Sequence, residues 1–285
     1  MKTKRLLILA ITLVCSIFFV SGCSGVSINR KANEVDNWSH IKQRGYVTVG
    51  VDDTFVPMDF RQKNGQLIGY DVDLANAVFK QYGINVSFQT IDWSMNTTEL
   101  KNGTIDLIWN GFSKNPEREA KVSFSETYLY TSQVLVSLKK NKINTIAAMK
   151  NKTLGVQTGS SGYNDVMKYP KVFKNHIKNQ DPILYDSFTN AFIDLNAGRI
   201  QGLLIDSTYA NYYISRQKHP ENFTEIESPF PKEEFGVGMR KSDLTLHKKI
   251  NYALEKLAKN GTLTKINHKW FGNKAESPLL QTKKD

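Results

Sequence analysis

The chain has 285 residues and a formal net charge of +11, and 40% of its residues are hydrophobic. This length is ample for one large or two medium domains. The basic residues are scattered among acidic ones, and no aromatic-basic cluster is present. This distribution argues against nucleic-acid binding and favours a basic surface near an anionic bacterial envelope.

The first 23 residues have the features of an export signal. A basic start is followed by an apolar run, residues 6–20, that is too short for a comfortable membrane span. The run ends in VSGC at residues 20–23, which resembles a bacterial lipobox. The resemblance implies that Cys23 is lipidated and becomes the first residue of a mature protein anchored on the extracytoplasmic face of the cell membrane. An ordinary cleavage site beside a cysteine is the alternative.

Cysteine usage limits the chemistry of the mature chain. Cys15 lies in the segment to be removed, so only Cys23 is left. An intramolecular disulfide and a thiolate metal cluster are therefore both excluded, and we expect no metal and no cofactor. Removal of three basic residues leaves a net charge of 11 − 3 = +8.

The folded part begins after a polar tether. Residues 24–37 lack periodicity and predict a flexible segment. Strands and helices then alternate. The predicted elements are a helix over 38–45, a strand over 46–51, a helix capped by Asp71 and closed by Gly83, a strand over 86–91, a helix over 97–101 and a strand over 105–109.

The alternation restarts after a strand over 133–138. Its elements are a strand over 153–156, a helix over 187–196, a strand over 200–205, a strand over 235–240, a helix over 244–259 and a final helix through Trp270. Residues 100–105 and 195–200 resemble each other, since both hold a helix end, a capping glycine and a new strand. This echo predicts two similar α/β units with mostly parallel sheets.

The order of elements predicts two lobes joined by two crossovers, near residues 136–140 and 235–240, that form a hinge. The expected organisation is a signal peptide over 1–22, the lipidated cysteine and tether over 23–37, lobe 1 over 38–137 and 238–276, lobe 2 over 138–237, and a polar tail over 277–285.

Polar and aromatic side chains follow the predicted strand ends, where ligands bind in open α/β sheets. Arg118 offers a planar fork to a carboxylate, and the Ser160-Ser161 loop offers backbone N–H groups at a helix start. Asp206 offers a negative charge to an ammonium group, and Phe55 and Trp93 offer two apolar faces. These groups together describe a site for a free α-amino acid.

The remaining candidates shape the pocket. Gly111 exposes its carbonyl, Asn110 and Gln157 could hydrogen-bond a neutral group, and Asp52 could face the end of the ligand side chain unless Asp53 does so. The complete set of expected ligand-binding residues is Asp52, Phe55, Trp93, Asn110, Gly111, Ser113, Arg118, Gln157, Ser160, Ser161 and Asp206.

A chain of motifs in order carries a family resemblance over nearly all of residues 46–272. VGVDDTFVPMDF, IGYDVDLANAV, IDLIWNGFSKNPER, VSFSETYLY, LGVQTGSSGY, GRIQGLLID and FGVGMRKSD resemble the polar amino-acid-binding proteins of bacterial ABC importers. That family includes the lysine/arginine/ornithine-, histidine- and glutamine-binding proteins. The resemblance implies a two-lobed α/β fold, periplasmic-binding-protein-like of type II, with a ligand cleft between the lobes and a membrane permease as partner.

The resemblance also implies residue roles. The arginine that matches Arg118 holds the ligand carboxylate, and the aspartate that matches Asp206 holds the α-amino group. The aromatics that match Phe55 and Trp93 flank the side chain, and the aspartate that matches Asp52 can reach a basic side-chain end. Departures from the basic amino-acid binders at Asn110, Gln157 and Gly162 leave the ligand open. We expect a polar amino acid, with a basic one such as arginine first and glutamine, histidine or cystine as alternatives.

An enzyme on the same fold, such as a dehydratase, is the rival interpretation. None of the five histidines lies in a strand-end motif, and no Gly-x-Ser-x-Gly elbow or phosphate loop is present. We therefore expect a monomeric binding protein that is not an enzyme.

Overall fold

The computed structural model describes residues 33–272 and 276–281. The predicted signal peptide, the lipidation site Cys23 and most of the tether lie outside the described residues, as does the end of the polar tail.

The first lobe is built on a five-stranded sheet. Its strands are β1 (Tyr46–Val51), β5 (Asn85–Thr90), β6 (Leu107–Ile108), β7 (Ser123–Phe124) and β15 (Gly238–Met239), in the spatial order β5-β1-β6-β15-β7. The first three strands in this order run parallel, and β15 runs antiparallel to both of its neighbours. Val47, Val49 and Val51 are fully buried in this sheet, as β-branched residues of a covered strand should be.

The second lobe repeats this arrangement. Its strands are β9 (Gln133–Leu138), β10 (Leu154–Gln157), β11 (Ile183–Tyr185), β12 (Gly202–Asp206) and β13 (Phe223–Glu227), in the order β11-β10-β12-β9-β13. Three parallel strands are again followed by a fourth that is antiparallel to both neighbours. In each sheet this fourth strand is the one that adjoins a crossover between lobes.

Helices cover the sheets. They are α1 (Trp38–Arg44), α2 (Tyr70–Lys80), α3 (Asn96–Asn102), α4 (Pro116–Lys121), α5 (Ser161–Lys168), α6 (Phe188–Ala197), α7 (Ser207–Ile214), α8 (Leu244–Lys259) and α9 (Thr262–Phe271). A small antiparallel sheet of β2 (Thr54–Phe55), β3 (Asp59–Arg61) and β4 (Leu67–Ile68) lies between β1 and α2 along the chain. Within the described part of the chain, no helix has the length and apolar character that a membrane span requires.

The sequence echo reflects a shared local geometry. Gly103 ends α3 and Gly198 ends α6, with φ of 75° and 76°, the left-handed conformation that glycine adopts at low cost. Each glycine turns the chain into a strand that follows the helix, β6 in the first lobe and β12 in the second. The similarity therefore extends from six residues to the strand order of both sheets.

The last helices return to the first lobe. Tyr82 Oη donates a hydrogen bond to the Lys249 carbonyl at 2.8 Å, and Tyr70 Oη donates to Asn267 Oδ1 at 2.8 Å. These contacts join α8 and α9 to α2 and its C-terminal turn across more than half of the chain. The chain therefore passes between the lobes twice.

The two crossovers pair with each other as hinge strands. β8 (Leu129–Thr131) and β14 (Glu233–Phe235) form an antiparallel pair between the two sheets. The first crossover ends before β9, so residues 133–137 lie with the second sheet, whereas the sequence prediction extended lobe 1 to residue 137. The run from 133 to 138 is buried throughout, and a uniformly buried strand carries no local sign of which sheet it joins.

Three other predicted elements differ from the structure. The strand predicted over 235–240 is split between β14, which ends at Phe235, and β15 (Gly238–Met239), because the crossover between the lobes runs through Gly236 and Val237. The strand predicted over 105–109 is reduced to Leu107–Ile108. Asp71 does not cap α2, whose N-cap is Gly69. Instead the Asp71 carboxylate is fully buried and accepts a hydrogen bond from the Gly111 backbone N–H at 2.7 Å.

Candidate ligand-binding site

A small cavity of about 10 Å³ lies between the two lobes. Its lining consists of Phe55, Trp93, Asn110, Gly111, Ser113, Arg118, Gln157, Ser160, Ser161, Phe188 and Asp206. Ten of these eleven residues were predicted from strand ends, Phe188 was not, and Asp52 is the predicted residue that does not line the cavity. This volume is close to that of one enclosed water and far below the roughly 300–1,000 Å³ of sites for drug-sized ligands, so the lobes must separate further to admit an amino acid.

Arg118 is held from both lobes. Asn115 caps α4 by accepting a hydrogen bond from the Arg118 backbone N–H at 2.9 Å. The guanidinium donates to the carbonyl of Ser113 at 2.8 Å and to that of Gly159, in the second lobe, at 3.0 Å. It also lies 4.4 Å from the centre of the Phe112 ring. These contacts hold the side chain in a position where part of the guanidinium group faces the cavity.

The charge of Arg118 is not neutralised by a neighbour. Burial lowers the pKa of Arg118 to about 10, against the attraction of Glu233, Asp206 and Glu117. The guanidinium is thus cationic at neutral pH. Among the ion pairs of residues 33–272 and 276–281, none within 4 Å involves Arg118. It can accept the carboxylate of an external molecule.

Asp206 presents the opposite charge from the second lobe. It ends β12 and stands at the N-cap position of α7, yet its side chain makes no capping hydrogen bond. Its Oδ1 is buried without a hydrogen-bond partner in the described part of the chain. Burial, followed by the charge of Glu233, raises the pKa of Asp206 well above its usual range, while Arg118 and Gln133 oppose the shift. A cationic group placed here would favour the ionised carboxylate.

Three aromatic residues form the apolar walls. Phe55 and Trp93 come from the first lobe and Phe188 from the second, with the Phe55 and Phe188 ring centres 5.8 Å apart. Gly111 has φ of 54°, and a Cβ at this position would lie 2.7 Å from Phe55 Cε1. A bare glycine after β6 therefore allows the Phe55 ring to approach the cavity floor.

The N-terminus of α5 faces the cavity. Ser160 caps the helix by accepting a hydrogen bond from the Tyr163 backbone N–H at 3.1 Å. Gly162 lies so close to Gln133 that a Cβ would be 2.6 Å from its Oε1. Ser160 and Ser161 both line the cavity, so the first turn of α5 begins at its edge, where its backbone N–H groups favour an anion.

Asp52 is turned inward but is held by other side chains. Its Oδ1 accepts hydrogen bonds from the backbone N–H and the hydroxyl of Thr54, and its Oδ2 accepts one from Gln157 Nε2 at 2.8 Å. Burial raises the pKa of Asp52. Asp53 points outward and pairs with Arg61 at 2.5 Å. The Gln157 amide therefore stands between Asp52 and the cavity.

The Asn110 amide is also engaged. Its Nδ2 donates to Asp59 Oδ2 at 2.6 Å and to the Asp52 carbonyl, and its Oδ1 accepts from the Asp52 backbone N–H at 3.2 Å. Asn110 thus ties the end of β6 to the end of β1. Asn110 therefore mainly shapes the cavity, because its amide groups are already hydrogen-bonded to other residues.

The family profile that describes bacterial extracellular solute-binding proteins, family 3, matches residues 47–273. The chain belongs to this family. The match spans both lobes and both hinge strands, which accounts for the cavity between them.

Relatives of this chain are named as amino-acid-binding proteins. The chain is 30% identical to the ABC transporter arginine-binding protein 1 of Escherichia coli (strain K12) over 233 residues, 79% of this chain and 90% of that protein. It is 28% identical to the L-cystine-binding protein TcyJ of the same organism over 258 residues, 90% of this chain and 93% of that protein.

A solved structure extends the similarity to the fold. An ABC uptake transporter substrate-binding protein from Streptococcus pneumoniae with bound histidine superposes with a TM-score of 0.82 and 48% sequence identity, over 83% of this chain and 96% of that one. The two-lobed α/β fold predicted from the sequence is thereby confirmed, as is the substrate-binding role in an ABC importer.

Three features of this solute-binding protein escaped sequence reasoning. Phe188 follows β11, a short strand with largely exposed residues that did not stand out as a strand. Glu233 reaches the site from the hinge strand β14. Asp59 and Asp71 form a buried acidic pair below Asn110 and Gly111. Had β11 been predicted, the rule that ligand-binding residues follow strand ends would have pointed to the segment that contains Phe188. No local signal of this kind marks Glu233 or the pair of Asp59 and Asp71.

A larger groove lies elsewhere on the molecule. It measures about 640 Å³ and is lined in part by Tyr130, Tyr212 and Trp270. Its charged residues Arg216, Glu225, Lys232 and Glu276 are exposed. Convergent buried charges distinguish the small cavity between the lobes from this open groove.

Proposed function

We propose that this protein captures a free polar L-amino acid, with a basic one such as arginine first, and delivers it to the permease of an ABC importer. One observation carries the proposal. A buried arginine and a buried aspartate from opposite lobes line one small cavity, and neither has an ion-pair partner in the part of the chain that the structure describes.

Each end of the zwitterion has a partner. Arg118 and the backbone N–H groups at the start of α5 bind the ligand carboxylate, and Asp206 binds the α-ammonium group. The side chain extends between the rings of Phe55, Trp93 and Phe188. A zwitterion therefore compensates both buried charges at once, which neither an anion nor a cation alone can do.

Domain closure couples this binding to transport. The ligand contacts both lobes, so only the closed form satisfies all of its charges, and ligand binding shifts the population toward that form. Contacts already bridge the lobes at Asp52–Gln157 and at Arg118–Gly159. The permease then distinguishes the closed protein from the open one.

The ligand side chain meets Gln157 before Asp52. A basic side chain can reach the Asp52 carboxylate if the Gln157 amide moves aside, and aromatic walls favour a guanidinium. A neutral or mixed polar side chain can instead bond the Gln157 amide itself. Arginine, histidine and cystine, the ligands named for the relatives, therefore remain the first candidates, with glutamine beside them.

The anchoring and oligomeric state complete the proposal. Cys23 carries the lipid that retains the protein at the extracytoplasmic face of the membrane, and the protein acts as a monomer. The cavity charges serve ligand binding, so the protein is not an enzyme.

The lipid anchor is tested by Cys23→Ser. We expect the variant to leave the membrane fraction, or to stay unprocessed, with its thermal unfolding unchanged. Mass spectrometry that finds a mature wild-type N-terminus elsewhere, without an acyl chain, contradicts the anchor.

The ligand is tested by calorimetry with the twenty amino acids and cystine. We expect tight binding of arginine or, failing that, of histidine, glutamine or cystine. Tight binding of glutamine or cystine with no binding of arginine or lysine would disprove the basic-ligand preference only. The absence of binding to any of them would overturn the proposed function.

A further inference from the structure

The hinge strand β14 carries a buried carboxylate that the proposed clamp does not use. Glu233 is 8% exposed, and its Oε2 accepts a hydrogen bond from Ser161 Oγ at 2.7 Å. Its Oε1 is buried and has no hydrogen-bond partner in the described part of the chain. Ser161 itself lines the cavity, so Glu233 lies directly behind the cavity wall.

Strand pairing brings Glu233 and Asp206 toward each other. Glu233 pairs with Thr131 of β8, and Asp206 pairs with Gln133 of β9. Only one residue separates Thr131 from Gln133 along the chain. The two carboxylates are therefore carried by strands that pair with the same short stretch of the hinge.

The side chains between them form a continuous network. Gln133 Nε2 donates to Ser161 Oγ at 3.3 Å, and the Ser161 hydroxyl donates in turn to Glu233. Gln133 also stabilises the Asp206 carboxylate. Even so, Asp206 Oδ1 and Glu233 Oε1 are both buried without a donor from the residues that the structure describes.

The charges around Glu233 come from three elements. Arg118 and Glu117 belong to α4, Asp165 belongs to α5 and Asp206 ends β12. Glu233 attracts Arg118 more strongly than Asp206 does. After burial, the charge of Glu233 is the main cause of the raised pKa of Asp206. Burial and then Glu233 also raise the pKa of Asp165 to about 6. Two buried carboxylates thus face one guanidinium.

We propose that Glu233 and Asp206 together form the subsite for the α-ammonium group of the ligand, and that they share one proton in the empty protein and release it to solvent when the ammonium binds. The inference rests on the proposed function. An ammonium group has three N–H donors and one positive charge. It can therefore satisfy the unpartnered oxygens of both carboxylates and replace the charge of the proton that leaves.

Proton release separates this role from a purely structural one. Calorimetric titration of the protein with L-arginine, or with L-histidine, L-glutamine or L-cystine if the screen selects it, is performed in phosphate and in Tris at pH 7.5, where both compounds buffer. The difference in binding enthalpy between the two buffers measures the protons released. The affinity is also measured between pH 5 and 8 in acetate, MES and phosphate. We expect the wild type to release a substantial fraction of one proton and to bind more tightly as the pH rises.

Glu233→Gln removes the like charge beside Asp206 and should abolish most of the proton release. We also expect binding to weaken by about tenfold at pH 8 and to lose most of its pH dependence. Glu234→Gln is the matched control, because Glu234 lies on the same strand but its side chain is half exposed. Asp165→Asn controls for protons from α5. Both controls should resemble the wild type.

Some outcomes would overturn the inference. Glu233→Gln with wild-type affinity and wild-type proton release would disprove it and leave the proposed function intact. Failure of the wild type to bind any amino acid would overturn the proposed function and the inference together. If Glu233→Gln does not fold, Glu233→Asp provides the test. It keeps the charge but retracts the carboxylate, so it should retain proton release and weaken binding, and unchanged affinity would overturn the inference.

Discussion

At the residue scale, the site consists of buried charges that lack their usual partners. Arg118 and Asp206 are 6% and 5% exposed, yet they are not ion-paired with each other. Burial of an unpaired charge is unfavourable, and stability alone would select a direct pair or apolar residues. An arrangement that keeps both charges apart and facing one cavity is expected where a ligand completes the pairing.

Arg118→Ala tests the clamp. Truncation of one partner of a buried charge pair costs on the order of 2–5 kcal/mol. We therefore expect ligand affinity, measured by calorimetry, to fall by roughly thirtyfold or more. Arg199→Ala is the control, since Arg199 is an exposed arginine paired with Asp194. Full affinity in a folded Arg118→Ala protein would rule the clamp out.

A second residue-scale feature lies beneath the cavity floor. Asp59 and Asp71 are both fully buried, and Oδ1 of each lacks a hydrogen-bond partner among residues 33–272 and 276–281. Burial raises the pKa of Asp71 to about 7, and burial together with the Asp71 charge raises the pKa of Asp59. Through Asn110 and the Gly111 N–H, the pair supports two residues that line the cavity.

The pair should make stability depend on pH. Between about pH 4 and 7 the folded protein binds more protons here than the unfolded chain, whose aspartates have pKa values of about 3.9, so the free energy of unfolding should fall as the pH rises. Asp59→Asn removes this contribution, and we expect a shallower fall, by on the order of 2 kcal/mol over that range.

Urea unfolding at pH 4.5, 5.5, 6.5 and 7.5 measures the effect. Asp53→Asn, at a surface aspartate paired with Arg61, serves as the control and should keep the wild-type slope. An Asp59→Asn slope equal to that of the wild type would show that Asp59 does not contribute to the pH dependence of stability.

At the element scale, helix and strand ends position the site. α4 is only six residues long, and its cap Asn115 and first-turn proline set the direction of Arg118. α5 begins directly after the capping residue Ser160, and α7 begins directly after Asp206, whose side chain makes no capping hydrogen bond. Each functional side chain thus lies at an end where backbone groups are also available to a ligand.

Asn115→Ala tests whether the cap of α4 positions Arg118. Loss of the cap should lower the free energy of unfolding by about 1 kcal/mol and should also weaken ligand binding. Thr145→Ala removes a cap in the second lobe, where Thr145 precedes the short 3-10 helix Ile146–Met149 and accepts a hydrogen bond from the Ala148 N–H at 3.3 Å. We expect the control to lower stability without changing affinity, as measured by chemical unfolding and calorimetry. Equal affinities of the two variants would show that the cap is not needed for the site.

At the scale of the whole molecule, the lobes meet through aromatic contacts as well as through the cavity. The Phe55 ring lies 5.4 Å from that of Tyr209, and Phe60 lies 5.9 Å from Tyr212, outside the cavity. α7 carries both tyrosines of the second lobe. The Phe60 and Tyr212 rings pack only when the lobes are closed, so this pair contributes to ligand affinity without contact with the ligand.

Phe60→Ala and Tyr212→Ala should each weaken ligand binding, and the double variant should show less than the sum of the two effects. An aromatic pair contributes about 0.5–1.5 kcal/mol, which corresponds to roughly twofold to tenfold in affinity. Calorimetry gives the coupling energy, and small-angle scattering reports the radius of gyration with and without ligand. Tyr252→Ala, at an exposed surface tyrosine, is the control. Strict additivity of the two changes would contradict a role in closure.

The sequence by itself determined the features that depend on neighbours along the chain. Helix α8 covers the predicted residues 244–259, and the glycines after α3 and α6 cap them as expected. Strand ends predicted most of the cavity lining because parallel strands present their carboxyl ends at one edge of a sheet. Amphipathic periodicity, capping chemistry and strand ends are all local signals, and the family motifs contain them in order.

Only the tertiary structure decided which distant groups meet. Glu233 lies behind the cavity wall because β14 pairs with β8, about one hundred residues earlier in the chain. Asp59 and Asp71 form a pair because β3 packs beside α2, and Gln157 of one lobe covers Asp52 of the other. Residues 133–138 join the second sheet by pairing with β12 and β13. These outcomes depend on contacts between segments that lie far apart in the chain. Such contacts produce no periodic pattern in the sequence of the residues that make them.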